Sequence, residues 1–246
     1  DNFKLNGSIG DLTFYKSRHG LLVRRKAGIT KSRIETESSF VRTRENNAEF
    51  TKASQAGKLL RQTFLPYIQK AKDPDLVSKL LKEMYKTIKS DPISVRGQRN
   101  MMNAEVQLLR GFNFNDRAHL STTLKVAIID SIDRASGNMS ISVPSFSPVE
   151  SIDAPAGTTH YKIVTAGAEI DFANGKYVVN SNETALLPYN STPSLALNLG
   201  TTVSANSLYH LFLIAGVQFY QFVNGNAYLL SNGEFNALGI VSVEKA

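Results

Sequence analysis

The sequence predicts an α+β protein with an N-terminal β-hairpin arm, a central helical block and a C-terminal antiparallel β-sandwich. Apolar residues recur every three or four positions between residues 41 and 114, which is the period of a helix. On both sides of that stretch the apolar residues alternate instead, and turn dipeptides punctuate the second half. These changes of period predict three parts, residues 1–39, 40–117 and 118–246.

The helical block is predicted from two apolar stripes and three proline signals. Pro66 should kink or split the first helix near Phe64, because proline lacks the N–H that continues the helix. Asp73 and Pro74 are typical of a helix start, and the segment from Ser90 to Pro92 repeats that signal. We therefore expect a third helix that runs to about Leu109, and an up-down bundle. The first stripe comprises Phe50, Ala53, Gly57, Leu60, Phe64, Tyr67 and Ala71, and the second comprises Leu76, Val77, Leu80, Leu81, Met84, Tyr85 and Ile88.

Before the block, a short basic hairpin is predicted. Residues 11–15 alternate in polarity, residues 17–20 turn the chain with Gly20 in the left-handed position, and residues 21–23 form the return strand. A lone two-stranded hairpin is only marginally stable, so its apolar side chains need a surface to pack on. The polar link from Ala27 to Ser39 has no clear period and indicates an extended arm.

The second half carries the signature of an antiparallel sandwich. Three Asn-Gly dipeptides are the strongest of its turn signals, and Gly216 indicates a bulge in a long aromatic strand. Because these strands and turns form a self-contained series, we expect the half to fold alone. The dipeptides are Asn174–Gly175, Asn224–Gly225 and Asn232–Gly233.

Charge is distributed unevenly along the chain. Residues 1–117 contain 23 Lys and Arg against 12 Asp and Glu, whereas residues 118–246 contain 5 against 9. The basic half predicts an anionic partner, which is nucleic acid, an anionic surface or the acidic half of a neighbouring copy. A solvated lysine-rich helical surface is the simpler interpretation.

Recognisable catalytic chemistry is absent from the sequence. The chain has no Cys, and its four histidines, His19, His119, His160 and His210, show no metal-site spacing. No catalytic, cofactor-binding or metal-binding residue is predicted, nor any small-molecule substrate, and the protein is expected not to be an enzyme. No apolar run reaches the ~18 residues that predict a transmembrane helix. The first residue is Asp1, so either a leader was removed or the N-terminus is not represented; both a cytoplasmic and an exported location stay open.

Five stretches carry a resemblance to known proteins: residues 7–16 with Gly20, residues 40–50, residues 56–61, residues 155–161 and residues 166–172. They resemble a family of uncharacterised bacterial proteins. The resemblance spans most of the chain and implies a bacterial origin, but no activity is known for the family and no functional residue is carried over.

The hairpin and its polar link predict a non-enzymatic structural protein that self-associates into a filament, coat or lattice. Its expected partner is therefore another copy of the chain. The alternative is a nucleic-acid-binding module that uses the basic half, with Tyr15 and Phe14 stacking on bases. The candidate assembly or anion-contact residues are Leu12, Phe14, Tyr15, Arg18, Leu21, Val23, Arg24, Arg25 and Lys26.

Overall fold

The structure, a computed structural model, describes residues 6–25 and 28–246. The chain divides into an N-terminal unit, residues 1–47, and a C-terminal unit, residues 48–246. The predicted α+β class is confirmed. The predicted boundaries at residues 39 and 117 stay predictions. The α-helices are α1 (Lys31–Thr36), α2 (Val41–Thr63), α3 (Leu65–Ile68), α4 (Leu76–Lys89), α5 (Leu120–Thr123) and α6 (Pro148–Ser151).

The N-terminal unit contains a small antiparallel sheet followed by helical segments. The sheet comprises β1 (Gly7–Ile9), β2 (Leu12–Ser17) and β3 (Gly20–Arg25). The prediction of an extended link was wrong, because α1 and a 3₁₀ turn at Ser38–Phe40 lie within it. The Thr30 side chain accepts a hydrogen bond from the backbone N–H of Arg33 and caps α1, and Arg33 pairs with Glu37 one turn later.

Two long helices follow the predicted stripes. The prediction at Pro66 is confirmed, since α2 ends at Thr63 and α3 restarts at Leu65 with the proline in its first turn. Leu60 and Phe64 of the first stripe are fully buried, whereas Phe50 is half exposed. The second stripe buries Leu76, Leu80, Met84 and Ile88 on one face of α4.

The prediction of a third helix was wrong. Between Ser90 and Gly111 the chain forms successive turns, and within that segment only Val106–Leu109 is helical, as a 3₁₀ turn. Instead of capping a helix, the buried Asp91 carboxylate accepts hydrogen bonds from the backbone N–H groups of Ile93, Ser94 and Asn100. The bonds from Ile93 and Ser94 close a local turn, and the bond from Asn100 ties the chain back to Asp91 from nine residues away.

The C-terminal unit is built on two antiparallel sheets. In the larger sheet the order is β11–β10–β6–β7, with β12 also paired to β10 and β8 to β6; the smaller sheet has the order β4–β5–β9. The strands are β4 (Ile129–Asp133), β5 (Asn138–Val143), β6 (His160–Asp171), β7 (Lys176–Glu183), β8 (Leu187–Pro188), β9 (Leu197–Thr202), β10 (His210–Val223), β11 (Asn226–Leu229) and β12 (Ala237–Glu244).

The larger sheet forms the middle layer, because its two faces enter different cores. Phe212 and Ile214 of β10 pack with the buried faces of α2 and α4. Leu211 and Leu213, the alternate residues of the same strand, pack with β5 and β9 of the smaller sheet. The helices therefore supply one of the two hydrophobic layers on which the central strands depend.

Glycines set the turns and one close approach between strands. The dipeptides Asn174–Gly175 and Asn224–Gly225 form the predicted tight turns, with positive φ at both glycines. The third dipeptide, Asn232–Gly233, instead ends a 3₁₀ turn at Leu230–Gly233. The register shift lies between Leu213 and Ile214 rather than at Gly216. At Gly216 a Cβ atom would lie 2.6 Å from the backbone O of Ala237, so only glycine fits there without displacement.

Candidate functional site

The candidate site is the three-stranded sheet of the N-terminal unit. Gly10 has a positive φ in the turn between β1 and β2, and Gly20 has one where β3 begins. The Ser17 hydroxyl donates a hydrogen bond to the Gly20 carbonyl and accepts one from the His19 N–H, which stabilises the second turn. The predicted hairpin is thus present, and β1 adds a third strand to it.

Strand register places the apolar candidates on one face. Directly paired residues of antiparallel strands share a face, and Phe14 is paired with both Val23 and Gly7. We name this surface the apolar face. Phe14 is partly buried, whereas Leu21 is 61% exposed and Val23 51% exposed, so the surface is not covered. The apolar face comprises Ile9, Leu12, Phe14, Leu21 and Val23, and two cations lie at its ends, Lys16 opposite Leu21 and Arg25 opposite Leu12.

The opposite face carries an aromatic–cation pair. Tyr15 lies opposite Leu22 in the register, and Arg24 lies opposite Thr13 on the same side. The Arg24 guanidinium is 5.5 Å from the centroid of the Tyr15 ring, within the range of a cation–π contact. Leu22 is exposed beside them, so this face mixes charged and apolar groups.

Positive charge dominates this sheet. Residues 6–25 contain four basic side chains, Lys16, Arg18, Arg24 and Arg25, against a single acid, Asp11. Arg25 and Asp11 lie 3.8 Å apart and both are well exposed, so their attraction is weak. The sheet therefore presents an excess of cations to any partner. Lys26, the last predicted site residue, lies outside the described residues.

Sequence reasoning missed the first strand and with it Ile9. Three residues are too few to show alternation, so β1 left no periodic signal. The usable signal was the Gly10–Asp11 pair before β2, since such a pair is typical of a tight turn between strands. With β1 in place, Ile9 lies opposite Leu12 and extends the apolar face.

The histidines are scattered in the structure as they are in the sequence. His210 is fully buried, and its Nε2 lies 2.9 Å from the carbonyl O of Met101. Across residues 6–25 and 28–246, no group of three or more His, Cys, Asp or Glu side chains is arranged to hold a metal ion. Within the same residues, no helix combines the length and apolarity needed to cross a membrane.

Comparisons with models of protein families, with curated proteins and with solved structures returned no match. The resemblance to a bacterial family therefore stays a prediction from the sequence.

Proposed function

We propose that this chain is a non-enzymatic structural protein that self-associates through its N-terminal sheet into a filament, coat or lattice. One observation carries the proposal: the apolar face is exposed although it gathers five large apolar side chains on one side of a three-stranded sheet. A small sheet with an apolar face gains stability when a partner covers that face. A second copy of the chain is the partner always present at the protein's own concentration.

The outer edges of the N-terminal sheet also favour association with a second copy. Among the described residues, β1 and β3 each pair only with β2, so each has an outer edge of backbone N–H and C=O groups. Such edges add to strands of another molecule. The apolar face and the edges together would allow one copy to attach to the next, and contacts that do not close on themselves build an open assembly.

The test replaces Leu21 and Val23 by Thr, a β-branched residue that suits a strand but removes most of the apolar surface. Covering these half-exposed side chains stabilises the contact by about 2–3 kcal/mol, so the change should weaken association by roughly 30–150-fold. The matched control is Leu22→Thr, which alters the opposite face of the same strand. Light scattering at several concentrations measures the mass. If the double variant, the control and the wild type have equal mass at every concentration, the proposal is wrong.

The alternative function, nucleic-acid binding, is favoured by the Tyr15–Arg24 pair and the excess of cations around it. Such a face would hold phosphates by charge and a base by stacking. Binding of single-stranded DNA or RNA would then fall steeply with salt, and changing Arg24 to Ala would flatten that dependence. No binding at low salt would exclude this alternative.

A further inference from the structure

A pocket in the C-terminal unit contains an incompletely bonded acid. The pocket has a volume of about 490 Å³ and is lined by residues of β6 and β7, by the turn between them and by Tyr209, which precedes β10. Glu169 of β6 is 93% buried there, since its exposed fraction is 7%. Its Oε1 accepts a hydrogen bond from the Ser204 hydroxyl at 2.9 Å, but its Oε2 has no partner among the described residues. A buried carboxylate oxygen without a donor costs free energy, so the pocket favours a ligand that supplies one.

The other pocket residues define what that ligand must be. Asp171 already accepts three hydrogen bonds, from the N–H of Ala173 and from the backbone and side-chain nitrogens of Asn174. Lys176 also lines the pocket and balances one of the two carboxylates, which leaves a net charge of −1. Tyr209 supplies an aromatic ring at the pocket, and such rings attract cations. A donor-rich cation matches this combination, and the volume lies within the roughly 300–1,000 Å³ of small-ligand sites.

The other carboxylates of residues 118–246 are less available to a basic partner than Glu169 is. Four of them already pair with basic side chains of the C-terminal unit, and Asp133 accepts hydrogen bonds within its own turn. Glu169 is therefore the buried acid that retains acceptor capacity beside a pocket, while the N-terminal sheet carries basic groups in excess. The four ion pairs are Arg110–Asp130, Lys162–Glu183, Arg117–Glu234 and Arg134–Glu244.

We propose that this pocket receives the guanidinium or ammonium group of a basic side chain from the N-terminal sheet of a second copy. The inference rests on the proposed function, for which it names the acceptor site. A small rotation of the Glu169 carboxylate presents an oxygen to the pocket, because the terminal torsion of glutamate is broad. Among the described residues β7 pairs only with β6, so its other edge, at the rim of the pocket, would accept a strand of the second copy.

The test compares two glutamates on the same unit. Glu169→Gln keeps the shape and the bond from Ser204 but removes the charge, and it should weaken association at least about tenfold, as expected for a hydrogen bond to a charged group. Glu150→Gln, on the exposed surface of α6, makes the same change of charge and should leave association unchanged. Val178→Arg is designed to obstruct the pocket with a large side chain. Val178 lies opposite Glu169 in the register and is 43% exposed, so the variant should fold but lose association.

The outcomes separate this inference from the proposed function. If Leu21→Thr with Val23→Thr lowers the mass while Glu169→Gln and Val178→Arg do not, the pocket is not the acceptor although the chain assembles through the sheet. If none of these variants changes the mass, assembly through the sheet is itself wrong. If the sheet variants and the pocket variants both lower the mass, Arg24→Ala and Arg25→Ala are each combined with Glu169→Gln. The basic side chain that enters the pocket is the one whose loss then weakens association no further.

Discussion

Acid should destabilise the C-terminal unit through His210. Its Nε2–H donates to the Met101 carbonyl, and its Nδ1 accepts from the Ala246 N–H at 2.9 Å. Only the neutral ring can make both bonds, since a protonated ring has no acceptor. Burial lowers the pKa of His210 below its ordinary value of 6.5, and the nearby Lys245 and Arg134 lower it further, against the opposing effect of the Met101 carbonyl.

The sign and size of the effect follow from this pKa shift. The lowered pKa means that the unfolded chain binds a proton at a higher pH than the folded one, so the contribution is complete above pH 6.5 and is lost as the pH falls below it. The slope reaches at most about 1.4 kcal/mol per pH unit, so between pH 7.5 and 5.5 the free energy of unfolding should fall by up to about 1.4 kcal/mol. His210→Gln removes the titrating group and should abolish this part of the pH dependence.

Urea unfolding at pH 7.5 and 5.5 measures the difference. The control is His19→Gln, which alters an exposed histidine at the tip of the N-terminal sheet and should keep the slope of the wild type. The two basic groups near the ring are paired with carboxylates, Lys245 with Glu105 and Arg134 with Glu244. If the wild type and His210→Gln lose stability equally on acidification, His210 does not carry the effect.

Three further outcomes are expected from the packing. Residues 48–246 should melt cooperatively, whereas residues 118–246, contrary to the expectation from the sequence, should not, because the fragment lacks the helices that cover one face of the larger sheet; circular dichroism of both fragments decides this. Gly216→Ala should cost about 1–3 kcal/mol by the clash described above, while Gly200→Ala, where the nearest atom is 3.8 Å away, should not, and thermal melts compare them. Burial alone would raise the pKa of Asp91, but the backbone N–H donors of its turns lower it to about 2. Asp91→Asn should therefore lower the free energy of unfolding by up to about 2.5 kcal/mol at pH 7. Urea unfolding should show this difference shrinking between pH 4 and 2.

The sequence predicted those elements whose apolar residues repeat because one face of the element is buried. The stripe of α4 and the split at Pro66 were predictable, because a helix that packs on a sheet must repeat apolar residues at its own period. The turns after Ser90 were not, because an Asp before a Pro is equally suited to cap a helix and to close a turn. Which of the two forms depends on Asn100, whose backbone N–H completes the bonds to Asp91 from nine residues away.

The assembly candidates were predictable in part for the same reason. Alternation in β2 and β3 identified Leu12, Phe14, Leu21 and Val23, which do share a face. The Glu169 pocket was not predictable, because the residues around it come from strands and loops that only the fold brings together. Ser204, for example, lies 35 residues from the carboxylate to which it donates.

A count of charged residues along the sequence does not locate a binding site. By sequence, residues 118–246 are acidic and residues 1–117 basic, which suggested that the two halves of neighbouring copies attract each other. The compact units do not follow that division: residues 48–246 contain 18 Lys and Arg against 16 Asp and Glu, and Arg110 and Arg117 already neutralise two of the acids of the last half. Exposed charges are also screened beyond roughly 10 Å in ordinary salt. In the proposed assembly, specificity would therefore come from a local acceptor and from covering the apolar face rather than from net charge. Neutralising Glu169 and neutralising Glu150 should then have different effects although they change the net charge equally.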